Sequence, residues 1–419
     1  MPTPSLILVP ARFKTGKLYT PVATTSGGVV LGASGDFNVT RATTATRVNA
    51  SGLIEVVASG IPRLDYYTSG GTAGCPALLV EPSGTNLALQ SEAFNTTWSS
   101  VQLLAFNSGS VINTTGTLDP YGTNVADLIV PNAVSDQHRL DQTTTSVSGS
   151  YTFSVFMKAA GYNFGRLRIG TVGSTFNLAS GTIGSTDSGI VSSIQPFGNG
   201  WYRCVISKAA SAANEIIRIN VNQALTGDYA GNGTSGIYVF GAQYETGSVA
   251  TSYIPTTTTT ATRNADVITL SGAVSGCIGQ TEGTIYAEVD IRAINIEGYM
   301  IRIGLASFDN TIYLTRSSAN NVSAVIRQGG SNIFSAATSG LGAGRFKIAL
   351  AYSNNSHVLY VNGNAIASGT TALSYSVALS DIRIGSFSDT TAFFNDRIRA
   401  AALYTTKLTN AELQSLTTL

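Results

Sequence analysis

The sequence predicts an all-β protein: two antiparallel β-sandwich domains of jelly-roll type behind a β-rich, irregular N-terminal segment, with one short C-terminal helix. Three observations carry that expectation. Apolar and polar residues alternate along short stretches, the period of a strand with one buried face. Gly is abundant, at 44 residues, and together with Asn and Ser it punctuates those stretches with turns. Only the closing KLTNAELQSLTTL has helical spacing and a helix start signal.

Composition bounds the rest. A length of 419 residues suggests about two to four domains of roughly 100 to 200 residues each. Apolar residues make up 43%, enough for real cores, but charged residues only 11%, against about 25% in an average soluble protein. Ser, Thr, Asn, Gln and Gly must therefore carry the surface, as in extracellular or virion β-proteins. The net charge of +1 provides no field to gather polyanions, which argues against nucleic acid as a partner. Cys75, Cys204 and Cys277 are odd in number and far apart; they fit neither a metal knuckle nor a disulfide framework, and are expected reduced and mostly buried. The apolar part of MPTPSLILVPARFKTGK runs only from Leu6 to Val9, whereas a signal peptide needs about 7 to 15 apolar residues. No stretch approaches the ~18 apolar residues of a membrane span, so we expect no membrane insertion and either residence in the cytosol or an exit that needs no signal.

Residues 1–88 mix short apolar runs with turns, as in GGVVLGASGDFNVTRATTATRVNASGLIEVV. The region is too rich in small residues for a core of its own, so it should depend on a partner surface or on its own trimer. Residues 89–260 alternate cleanly. In SYTFSVFMKAAG, Tyr151, Phe153, Val155 and Met157 share a face; in WYRCVIS, Trp201, Arg203, Val205 and Ser207 oppose Tyr202, Cys204 and Ile206; in GIYVFGAQYE, Ile237, Val239 and Gly241 oppose Tyr238 and Phe240. Such strands without a helical period between them indicate a sandwich. Residues 261–419 repeat the signal. GRFKIALAYS places Phe346, Ile348, Leu350 and Tyr352 together, and Asn362-Gly363 supplies positive φ for a tight hairpin. Thr409 and Glu412 form a capping box for the final helix, with Leu413 and Leu416 on its buried face. Between the two sandwiches, Tyr253 and Ile254 should fold back onto the first, leaving Thr256 to Thr260 as a short joint that β-branching keeps stiff. The tetrad T-A-T-R occurs at Thr44 to Arg47 and again at Thr260 to Arg263, each copy leading into a strand.

Residues 261–419 resemble the concanavalin A-like, or laminin-G-like, jelly rolls. The order GTIYAEVDI, FKIALAYS, LYVNG, IRIGS and FFNDRIRAAALYTTKLTNAEL carries the likeness. Residues 89–260 resemble the carbohydrate-binding-module-like jelly rolls of bacteriophage structural proteins, through SEAFNTTW, LDPYGTNVADL, FGNGWYRCVIS and GIYVFGAQYETGSVATSYIPT. RATTATRVNASGLIEVV, PRLDYY and CPALLVEPSGTNLALQSE are similar to phage tail and head-fibre segments. The resemblance implies a virion accessory protein, fibre-like or decorating the capsid, exposed on the particle surface after assembly in the host cytoplasm. Residues 1–88 would dock it to other virion proteins or trimerise it, and the sandwiches would attach to host-surface glycan. The alternatives are a stand-alone lectin-like module and a glycoside hydrolase.

Catalytic chemistry finds little support in the residues. Glu288 and Asp290 share a strand face, but Arg292 stands where a row of carboxylates would continue, and retaining glycosidases need two carboxylates about 5 Å apart. The expected strand turns Tyr286, Glu288, Asp290 and Arg292 to solvent and Ile285, Ala287, Val289 and Ile291 inward. With only His138 and His357 in the chain, triads and zinc sites lack partners, even though Asp136, His138 and Asp141 lie close in sequence. No catalytic residue and no cofactor is expected. Jelly rolls do hold structural calcium through Asp, Asn and backbone oxygens; Asp119, Asp127, Asp309, Asn310 and Asn354 are the candidates, set against the default role of these residues in turns. For a sugar platform the candidates are Tyr66, Tyr67, Tyr121 and Tyr162, while Trp98 and Trp201 sit in apolar patterns and belong to the core.

Overall fold

The structure, a computed structural model, describes the chain except residues 21, 26–27, 30–35, 68–73, 105–116, 125, 226, 272–275, 293–296, 306 and 320. Its described residues form two stacked pairs of antiparallel sheets, two further two-stranded pairings and one short helix, Asn410–Thr417. Among the described residues no helix is long and apolar enough to cross a membrane.

The middle sandwich pairs a six-stranded with a five-stranded sheet. The first runs in the order Ser99–Val101, His138–Thr143, Ile216–Asn222, Phe164–Ile169, Val172–Asn177, Thr182–Thr186; the second runs Asp127–Ile129, Gly236–Thr246, Gly149–Ala160, Tyr202–Ser211, Ile190–Pro196. Between them lies a core built from the expected faces: Tyr151, Phe153, Val155 and Met157 meet Cys204, Ile206, Ile237 and Val239. The alternation of GIYVFGAQYE does not run through, however. The register of Gly149–Ala160 with Gly236–Thr246 shifts between the pairs Ser154↔Gln243 and Phe156↔Phe240. Gly241 takes φ +65 there, a bulge that flips the phase, so Ala242 and Tyr244 enter the core where strict alternation sends Gln243.

The outer sandwich is built by both ends of the chain. Its first sheet centres on Asp396–Tyr404, one edge of which bonds Glu282–Ile291. The opposite edge is shared by Leu6–Leu8 and Ala77–Val80 from the N-terminal region. In the facing sheet Phe37–Thr40 pairs with Val267–Ser271, which pairs with Asp381–Ile384. Leu6, Leu8, Phe37, Leu78 and Val80 are buried in one core with Ile285, Val289, Ile348 and Ile382. Among the described residues these N-terminal strands therefore share the core of the C-terminal sandwich rather than building one of their own. The surface they require is the C-terminal sandwich of the same chain, whose strand edges would otherwise leave a row of peptide groups unpaired.

The middle sandwich is inserted into this outer one. The chain leaves through Gly84–Asn86 and returns through Ala261–Arg263, and these two segments pair antiparallel, Gly84 opposite Arg263. The two T-A-T-R copies meet at this neck: Thr44, Ala45 and Thr46 line a cavity of about 90 Å³ with Ala261, Thr262 and Arg263. Thr46 Oγ1 donates to the Tyr253 carbonyl at 2.5 Å. Thr256 is buried and bonds Ala88, so the joint is anchored at its first residue.

Local expectations for the C-terminal region hold. Asn362 and Gly363 take φ +47 and +81 and close the hairpin with Val361 opposite Asn364. Thr409 and Glu412 form the capping box. The helix covers the outer face of the first sheet, so Tyr286, expected at solvent, is buried with Tyr360, Tyr404, Leu408 and Leu413.

Candidate functional site

The outer face of the six-stranded sheet follows from sequence alternation. In His138–Thr143, Ile216–Asn222 and Phe164–Ile169, the residues Leu140, Ile217, Ile219, Val221, Leu167 and Ile169 turn to the core. The positions between them must face the other way. Cross-strand register sets them in two rows: Arg139, Asn220, Arg166 and Thr175 in one, Asp141, Arg218 and Arg168 in the next. Adjacent strands lie about 4.8 Å apart, so planar guanidinium and amide groups recur at that spacing across the face.

On this face lies a cleft of about 260 Å³. Its floor is Arg166, Arg168, Asn220 and Asn222, and its walls are Ser185, Asp187, Gln137 and Asp228. Asp187 holds the floor in place: it accepts from Arg166 at 2.5 Å and from the Gly173 N–H at 2.8 Å. Burial pulls its carboxyl upward, but those two donors outweigh that and keep it below the usual carboxylate range. Arg168 donates to Gln137 Oε1 and to the Thr171 carbonyl, both at 3.1 Å. Burial, then Arg166 and Arg218 beside it, lower its affinity for its proton. The wall that carries Asp228 is pinned by His138, whose ring nitrogens lie 2.5 Å from the Gln102 carbonyl and 2.8 Å from that of Tyr229. His138 is thus a buried structural residue (0% exposed).

Two polar atoms of this floor have no partner among the described residues. Asn220 is only 4% exposed, yet its Oδ1 accepts no hydrogen bond, and the Arg168 Nε–H donates none. A buried polar atom left unpaired costs roughly 1–3 kcal/mol, so the cleft offers an acceptor and a donor already desolvated and held in place. Two arginines face two aspartates along its lining, a balance that suits a neutral ligand rich in hydroxyls better than a polyanion.

The residues singled out from sequence scatter. Tyr66 and Tyr67 line a different cleft, of about 180 Å³, with Ser51, Pro196, Phe197 and Asn199. Tyr121 packs edge-on against Phe240 with ring centres 5.6 Å apart, and Tyr162 is buried against Tyr229 with its hydroxyl accepting from Asn232. Both rings are thus engaged in packing within the protein. Trp98 and Trp201 are buried, as read. Asp119 closes a turn by accepting from the N–H groups of Tyr121 and Thr123. Asp127 is buried and accepts from Phe94. Asp309 accepts from Gly330 through its backbone carbonyl, Asn310 from Gly329 and Asn354 from Leu373 through their side chains. Among the described residues no three His, Cys, Asp or Glu side chains come together as a metal site. Glu288 is paired with Arg345 and Asp290 with Arg399, while Arg292 turns back to Asp396 at 2.7 Å. His357 is buried against the Thr371 carbonyl, and of the cysteines only Cys75 is exposed. Arg166, Arg168, Asn220 and Asp187 were missed. For the two arginines and Asn220 the signal was the alternation itself, since RLRI and RINVN put Arg and Asn at every outward position.

No protein-family model matches the chain, and no curated protein matches it. Among solved structures, the CBM40 of Ruminococcus gnavus IT-sialidase is 17% identical over 33% of this chain and 84% of its own, with a TM-score of 0.29. A structure of botulinum neurotoxin type C, whose cell entry is dependent upon interaction with two ganglioside molecules, is 15% identical over 36% of this chain and 39% of its own, with a TM-score of 0.30. Trypanosoma rangeli sialidase is 10% identical over 70% of this chain and 60% of its own, also at 0.30.

Proposed function

We propose that the chain is a glycan-binding β-sandwich protein whose middle sandwich holds a neutral saccharide on the outer face of its six-stranded sheet. The observation that carries this reading is the cleft floor, where Asn220 Oδ1 and Arg168 Nε–H are buried without partners among the described residues, beside the ion-paired Arg166. Sugar hydroxyls donate and accept at once, so one saccharide edge supplies both missing bonds. Burying few charges and many fixed polar groups is also what distinguishes one hydroxyl pattern from another.

The finer reading is that the protein is an accessory component of a bacteriophage virion, fibre-like or decorating the capsid, that attaches to host-surface glycan as a homotrimer. It rests on the sequence segments that resemble phage fibre proteins, and on a hydroxyl-rich, weakly charged composition. Many copies on one particle would let weak single contacts add up. A glycan array with the full chain is expected to give binding that Asn220→Ala weakens about tenfold, the worth of one or two hydrogen bonds. Equal binding by wild type and variant would move the site off this face. Mass spectrometry of purified particles tests the virion assignment, which fails if the chain is absent from them.

A further inference from the structure

Where the middle and outer sandwiches meet, four arginines from distant parts of the sequence converge on one small cavity. Arg47 comes from the N-terminal hairpin, Arg203 from Tyr202–Ser211, Arg292 from the end of Glu282–Ile291, and Arg397 from Asp396–Tyr404; all four line a space of about 40 Å³. Three are matched by a carboxylate: Arg47 by Glu55, Arg292 by Asp396, Arg397 by Asp65. The fourth is not. Arg203 is 7% exposed, and among the described residues it has no carboxylate within ion-pair distance. Its contacts are Ser154 Oγ at 3.0 Å and the Phe156 ring at 5.4 Å. Among the described residues, three buried N–H groups of these lining arginines have no acceptor: Arg203 Nε, Arg397 Nη1 and Arg47 Nη1.

A guanidinium does not escape burial by losing its proton, because its ordinary pKa is too high, so a buried unpaired arginine needs an anion. Burial, opposed by the more distant Glu245 and Glu81, does lower the proton affinity of Arg203. The cavity accommodates about three water-sized groups, which suits a carboxylate or the oxygens of a phosphate and excludes a sugar ring. It adjoins the cleft of Tyr66 and Tyr67, sharing Val48, Tyr67 and Phe197 with it. The Tyr67 and Phe197 rings stand 6.1 Å apart at this boundary, and Arg397 stacks 4.8 Å over Tyr67.

We propose that this seam cavity is an oxyanion-binding site, in which Arg203, Arg397 and Arg47 hold a carboxylate or phosphate group while Tyr66, Tyr67 and Phe197 receive the body of the ligand. One unmatched positive charge among the four arginines fits one negative charge on the ligand. The guanidinium fork suits oxyanions in particular, since two parallel N–H groups meet two oxygens. Occupancy would also tie the sandwiches together, because the three N–H donors come from the N-terminal region, the middle sandwich and the C-terminal strand. The site is separate from the cleft at Asn220 and stands or falls independently of it.

The test is calorimetric titration of the full chain in low-salt buffer with inorganic phosphate and, separately, with glucuronate as a sugar carboxylate. Saturable binding of either is expected, weakened at least about tenfold in Arg203→Met, consistent with loss of charge-assisted hydrogen bonds, and unchanged in Asn220→Ala. Tyr67→Ala should weaken glucuronate more than phosphate if the outer cleft receives the ring, and an equal effect on both would refute that part. If Arg203→Met does not fold, Arg203→Lys keeps the charge without the fork and should still bind more weakly than wild type. Absence of saturable binding for both anions, or equal binding by wild type and the Arg203 variants, would overturn the proposal.

Discussion

Asp127 shows how burial sets the chemistry of a residue that sequence marks only by its type. As a carboxylate near turns it was a calcium candidate, yet it is 3% exposed and its one described bond is from the Phe94 N–H at 3.0 Å. Burial pushes its pKa up to about 7 against that bond. An unfolded Asp titrates near 3.9, so between about pH 4 and 7 the native state keeps a proton that the unfolded chain has released, and stability falls as pH rises through that window. Asp127→Asn retains an acceptor for Phe94 and should remove this slope, leaving the variant on the order of 2–4 kcal/mol more stable than wild type at pH 8. Urea unfolding of both at pH 5 and pH 8 checks this; parallel pH dependence would contradict it. What sequence made legible at this scale was burial of apolar side chains: Trp98, Trp201 and the core faces follow from patterning alone. It could not tell which outward polar residues meet water and which meet other protein, because Asn220 and Asp141 obey the same alternation while only Asn220 is buried.

At the scale of elements, features set by neighbouring residues were legible and those set by a partner strand were not. The Asn362-Gly363 turn and the Thr409–Glu412 box are local chemistry, and both are in place. The phase change at Gly241 is not local: it exists because Gly149–Ala160 bonds one residue out of step across it. A Cβ there would approach the Phe156 ring at 3.0 Å with the backbone at φ +65. Gly241→Ala should therefore destabilise the middle sandwich by at least ~1–2 kcal/mol, the cost of left-handed backbone alone. A chemical melt showing no loss would mean that the bulge relaxes. Tyr286 makes the same point, since its strand assigns it outward and only the docking of the final helix buries it.

At the scale of the whole molecule, the chain is an outer sandwich interrupted by an inner one, and the neck between them is ionic. Arg63 is fully buried between Glu81 at 2.7 Å and Asp266, and Arg41 reaches Asp266 at 2.8 Å. Burial raises the Glu81 carboxyl, but Arg63 and then Arg263 outweigh it and hold it well below the usual range. Such a cluster is costly to desolvate and costlier to break, which makes it a device for fixing one arrangement. This arrangement could not be read from sequence, because a strand carries no local mark of a partner hundreds of residues away. Residues 261–419 expressed alone lack Leu6–Leu8, Phe37–Thr40 and Ala77–Val80 and should show no cooperative melt, whereas residues 89–260 should melt cooperatively. Circular dichroism on both fragments decides it, and a cooperative melt from 261–419 alone would contradict the shared core.

The proposed meeting place of this protein with a saccharide is the outward face of the six-stranded sheet. Chemical-shift mapping with the best neutral glycan from an array tests that most directly. We expect perturbations centred on Asn220, Arg166, Arg168 and Asp187, with the seam and the outer sandwich unmoved; shifts confined to any other surface, or no shifts at saturating sugar, would contradict it.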